Sequence, residues 1–124
     1  MPRTKNTYVI VWRYRVRRGA EQRFERIYGS RGAWARFFRK GRGYLGTQLF
    51  REAGPRATAS ARRAARRPKT QPLLPGPSYV TIDMWRSRAA FDTFHRLHHG
   101  EYQRIDRQCE SLTLHEEKLG AWAL

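Results

Sequence analysis

The chain has 124 residues and a formal net charge of +16, from 26 Lys and Arg against 10 Asp and Glu. Its one cysteine, Cys109, excludes an internal disulfide, so folding rests on packing within a single domain, and a reducing cytoplasm is the expected setting. No apolar run approaches membrane-spanning length, and the run from Tyr8 to Trp12 is too short for a signal peptide.

The charge alone would suit nucleic acid or an anionic membrane. Arginine, however, outnumbers lysine 22 to 4 and is scattered over every segment, as a compositional bias would scatter it, so neither partner is expected. In chain order, Tyr8, Ile10, Trp12, Tyr14 and Val16 alternate with Val9, Val11, Arg13 and Arg15, which predicts strand 1. From Ala20, apolar residues at Phe24, Ile27, Tyr28, Trp34, Phe37 and Phe38 keep helical spacing. "GSRG" at 29 to 32 breaks helix 1, with Ser30 as the expected cap of its second piece. "GRGYLGTQLF" predicts strand 2 from Tyr44 to about Arg51. Residues 53 to 77 hold five of the six prolines, six basic residues and no acidic one. They predict a loop insertion whose Arg62, Arg63, Arg66 and Arg67 form one basic tract.

Strand 3 is expected from Ser78 to Trp85, followed by helix 2 with Ser87 as N-cap. Phe91, Phe94, His98, Tyr102, Ile105, Cys109 and Leu112 then follow at steps of three or four, with Gly100 as the point where the helix bends or divides. A short last strand is expected around Lys118 to Trp122. The order β-α-β-β-α-β gives the fold class: α+β, ferredoxin-like, an antiparallel four-stranded sheet with both helices on one face. Strand 3 sets Val80, Ile82 and Met84 against Tyr79, Thr81, Asp83 and Trp85, so both faces of the sheet need cover. Two helices cover one face, and a second copy of the chain is the expected cover for the other.

"YVIVWRYRV", "GAWARFF", "GYLGTQLFR", "YVTIDMWRSRAAFDTF" and "HHGEYQRIDRQCESLT" resemble the antibiotic biosynthesis monooxygenase family over the whole chain except the insertion. The most specific element is the Trp-x-Ser-x-x-Ala-Phe junction at 85 to 91. The resemblance implies a dimeric α+β barrel with a mostly apolar pocket between sheet and helices in each subunit. In the family's polyketide oxygenases a tryptophan ends strand 3, and Trp85 matches it. Their asparagine four residues earlier is Thr81 here, their tyrosine six residues later is Phe91, and their helix arginine falls near Arg104. In the haem-degrading branch the helix tryptophan and the iron-ligand histidine are replaced by Phe94 and a residue near Arg104, which speaks against haem degradation.

The implied function is oxygenation of an aromatic phenolic or quinol substrate by molecular oxygen, without a bound cofactor. Triplet oxygen reacts slowly with closed-shell molecules, so the substrate must supply an electron, as phenolates and hydroquinone anions can. The protein then has to provide a dry cavity, a proton acceptor and a group that stabilises an anion. Trp85, Phe91 and Phe94 are the expected walls, and His98, one turn before Tyr102, the expected base. Arg104 lies off that stripe, and Asp83 faces the same side as Trp85 as a partner for arginine or ligand. His95 and His99 have metal-ligand spacing but lack a third ligand, so no metal is expected. Two other readings share this element order. One is an accessory or stress dimer that keeps the fold without turnover. The other is an RNA-recognition module, whose signature octamer is missing where strand 3 has "PSYVTIDM".

Overall fold

A computed structural model describes residues 7–53 and 75–124. The expected loop at 53–77 lies outside them, except for Ala53 and the last three residues. Four strands, β1 (Tyr8–Arg17), β2 (Tyr44–Arg51), β3 (Pro75–Trp85) and β4 (Thr113–Ala123), form one antiparallel sheet in the order β2-β3-β1-β4. The first crossover contains α1 (Glu21–Tyr28) and α2 (Ala33–Phe38), and the second contains α3 (Arg88–Leu97) and α4 (His99–Cys109). This is the expected α+β, ferredoxin-like arrangement.

Strand pairing carries the alternation of β1 and β3 into the core. Tyr8 pairs with Trp85, Ile10 with Asp83, Trp12 with Thr81 and Tyr14 with Tyr79, and this whole set faces the helices. Val16, Phe24, Tyr79 and Trp85 are fully buried there, and truncating an aromatic of this kind to alanine costs roughly 3–5 kcal/mol. The opposite face carries Val9, Val11, Val80, Ile82 and Met84, with Phe50 and Trp122 about half exposed. Among the described residues no helix covers that face.

Four boundaries differ from the sequence expectation. The cap of α2 is Gly32, not Ser30: the chain doubles back so tightly that a side chain at 32 would lie 2.2 Å from the Ile27 carbonyl oxygen. β3 starts at Pro75, three residues before Ser78. The second crossover divides at His98, whose φ of −117° and ψ of 26° end α3 and begin α4, rather than at Gly100. β4 spans 11 residues instead of the few around Lys118 to Trp122, because its charged "HEEK" stretch pairs with β1 from an exposed edge. Ser87 does cap α3, its hydroxyl accepting the Ala90 N–H at 3.1 Å.

Candidate active site

On the helix side of β3, Thr81 and Asp83 are short side chains between the large rings of Tyr79 and Trp85. The neighbouring strand is fitted to them by a bulge. Tyr44 pairs with Trp85 and Thr47 with Asp83, with one extra residue between, so Leu45 is pushed outward and 52% exposed. Gly46 takes φ of +150° at that step, a region that side-chain-bearing residues avoid. The bulge turns both Tyr44 and Thr47 inward. The Tyr44 phenol then meets Thr47 Oγ1 at 2.5 Å, and Thr47 donates to Asp83 Oδ1 at 2.7 Å.

Asp83 ends this hydroxyl relay, enclosed by protein and facing a cavity of about 40 Å3. Burial pushes its pKa up to about 6, against the opposing pull of the Thr47 hydrogen bond. Two further carboxylates line the cavity: Asp106 from α4 and Glu116 from β4. Both are raised first by burial, then by acidic neighbours: Glu110 acts on Asp106, and Asp106 on Glu116. The phenols of Tyr14, Tyr28 and Tyr102 face the same space, each with its pKa raised mainly by burial, that of Tyr102 to about 12. Trp12, Trp34 and Phe38 complete the aromatic wall. Among the described residues no Lys, Arg or His lines it. Thr81 adds a hydroxyl that is 3% exposed and has no partner in hydrogen-bond geometry, although it lies near enough to Tyr14 to oppose that phenol's upward shift.

The structure therefore brings Thr81, Asp83 and Tyr102 together and sets the other expected residues elsewhere. Trp85 is fully buried and ringed by Phe38, Tyr44, Phe91 and Phe94 at centroid distances of 5.2 to 5.8 Å, and it lines no part of the cavity. Phe91 and Phe94 pack on Trp85 from α3. His98 sits where α3 ends, stacked 4.6 Å from Phe94 and edge-on to Phe37. The division of the helix there keeps it out of line with Tyr102 and the cavity. Arg104 is exposed on α4. His95 and His99 have ring centroids 5.6 Å apart, and among the described residues no cluster of three His, Cys, Asp or Glu side chains could hold a metal.

Sequence reasoning missed Trp12, Trp34, Asp106 and Glu116. Asp106 follows Tyr102 by four residues, the separation of one helix face, and that signal was available. Glu116 pairs with Tyr14 only once β4 is extended to its observed length.

Phe94 and His98 instead line a wider groove of about 400 Å3 beside Lys40, Arg42 and Leu97. Its rim is exposed, Leu97 being 69% accessible, so water enters freely. The Asp83 cavity is the smaller of the two, and among the described residues that line it only Glu116 is exposed. Among the described residues no helix is long and apolar enough to cross a membrane.

No family model matches the chain, and no curated protein does. Among solved structures it is similar to SnoaB, a cofactor-independent oxygenase from Streptomyces nogalater, with a TM-score of 0.61 and 22% identity over 96% of this chain and 93% of that one. It is also similar to a Bacillus cereus protein described as an antibiotic biosynthesis monooxygenase, with a TM-score of 0.55 and 9% identity over the same shares. The chain thus has the fold that its sequence segments resembled. At these identities the likeness carries the fold, and the chemistry rests on this chain's own residues.

Proposed function

We propose that the protein is an oxygenase of the antibiotic biosynthesis monooxygenase type, acting without a bound cofactor on an electron-rich phenol or quinol held in the Asp83 cavity. The observation that carries this reading is Asp83 itself: a carboxylate at the end of the Tyr44–Thr47 relay, facing an aromatic wall. With a pKa near 6 it is ionised at neutral pH and can accept a phenolic proton. Transfer from a phenol of pKa about 10 is uphill by roughly 5 kcal/mol, modest enough for a transient phenolate.

The phenolate gives one electron to O2, and the aryloxyl radical and superoxide join at a hydrogen-bearing ring carbon ortho or para to the oxygen. Asp83 returns its proton to the new peroxide. Loss of the proton on that carbon then cleaves the O–O bond, so that one phenol or quinol and one O2 give one quinone and one water. The cavity at about 40 Å3 is smaller than the roughly 150 Å3 that holds a benzene ring, so substrate entry has to displace part of the wall. We assign the working unit as a cytoplasmic homodimer, the Val11, Ile82 and Met84 face pressed on its twin. The buried free thiol of Cys109 suits a reducing compartment.

Oxygen uptake over hydroquinones and anthrones tests the assignment. Asp83→Asn should reduce uptake by about 10²- to 10⁴-fold while His98→Ala retains it. Uptake lost with His98→Ala and kept with Asp83→Asn would transfer the role of base to the exposed groove. Absence of uptake with every electron-rich ring would favour the accessory-dimer reading.

A further inference from the structure

The cavity's charge runs against that of the molecule. In a chain with 26 Lys and Arg, every charged side chain among the described residues that line it is a carboxylate: Asp83, Asp106 and Glu116. Among the described residues the ion pairs use Glu52, Asp92, Glu101 and Glu117, and none involves these three. Carboxylates converging without a counter-charge in a partly dry site are an unfavourable arrangement, and a bound cation would relieve it. The walls suit a cation as well, since the indoles of Trp12 and Trp34 and the phenol of Tyr102 line the cavity, and aromatic rings of these kinds attract one. A second feature points to a ligand independently: the Thr81 hydroxyl, buried and lining the cavity, has no protein partner in hydrogen-bond geometry, although Tyr14 lies close by. A small polar group on a ligand would satisfy it.

We infer that this cavity selects an aromatic substrate bearing its own positive charge, a phenol or quinol with an ammonium substituent. Asp106 and Glu116 receive the ammonium, the tryptophan rings flank it, and the ring hydroxyl lies between Thr81 and Asp83. The chemistry of the ring rests on the oxygenase reading above, whereas the charge preference stands on the lining alone. The two meet in one consequence: among the described residues a phenolate formed in the cavity meets carboxylates and no cationic side chain, so a positive charge carried by the substrate itself would stabilise it.

Binding rather than turnover tests this. The wild-type protein is titrated with three probes of one shape, 4-(2-aminoethyl)phenol, 4-ethylphenol and 3-(4-hydroxyphenyl)propionate, following tryptophan fluorescence and calorimetric heat. The ammonium probe should bind about tenfold or more tightly than the neutral one, and the carboxylate weakest despite the net charge of +16. Glu116→Gln, at an exposed position, and Asp106→Asn should each erase much of that preference, lowering the affinity for the ammonium probe more than that for 4-ethylphenol. Equal or tighter binding of the neutral or anionic probe, or no binding of the ammonium probe, overturns the inference. Oxygen uptake with an uncharged quinol by the same preparation would then leave the oxygenase reading standing, and its absence together with a clear ammonium preference would do the reverse.

Discussion

Trp85 and Asp83 stand two residues apart on one strand, point to the same side of the sheet, and occupy opposite environments. Around Trp85 four aromatic rings close every gap, while around Asp83 the short side chains of Thr47 and Thr81 leave the space that the rings of Trp12, Trp34 and Tyr102 enclose. The change in side-chain size along the strand makes one end a structural plug and leaves a polar cavity beside it. A large aromatic in a junction motif therefore marks the edge of a site without being part of its lining.

The contrast is open to four measurements. The largest effect belongs to the plug. Trp85→Ala should lower stability in urea unfolding by about 3–5 kcal/mol, and a loss below 1 kcal/mol would mean that the ring is not packed as described.

Next is the pH dependence at Asp83, whose folded pKa of about 6 lies above the usual carboxylate value. The folded state then holds a proton that the unfolded state releases, so stability is greatest below about pH 4 and falls as pH rises toward 6. By neutral pH the loss amounts to about 3 kcal/mol. Asp106 and Glu116 shift in the same direction, so the relevant quantity is the difference between wild type and Asp83→Asn, which should flatten the profile and be more stable at pH 7. Parallel profiles for the two proteins would contradict the buried carboxylate.

Smaller is the capping bond that starts the helix carrying Phe91 and Phe94: Ser87→Ala should cost about 1 kcal/mol. Of similar size and opposite sign, Thr81→Val should raise stability by about 1 kcal/mol by removing an unpartnered buried hydroxyl, and should weaken binding of phenolic probes. Destabilisation instead would show that Thr81 already has a partner.

The plug was legible in the sequence and most of the chamber was not. Alternation fixed which residues of β1 and β3 share a face, and the spacing after Ser87 delivered Phe91 and Phe94 to Trp85. The chamber draws on seven elements spread over the sequence, and periodicity does not report their convergence. His98 was the natural base on a continuous helix. The division of that helix at His98 turns the ring onto Phe94 and Phe37, and no residue type at 98 to 100 announces a break there rather than at Gly100. Glu116 stayed hidden because a run of charged residues reads as a loop until a neighbouring strand is known to pair with it.

The bulge at Leu45 makes the chemistry depend on counting. Strict alternation from Tyr44 would turn Thr47 and Leu49 to the open face and set Gly46 opposite Asp83 and Gln48 opposite Thr81, leaving the carboxylate without its Thr47 donor. Two homologues identical at positions 44, 47 and 83 but differing by one inserted or deleted residue between the first two would therefore differ in acidity at Asp83. Insertions and deletions in this short segment are thus a route by which evolution could retune the site while every side chain in it stays the same.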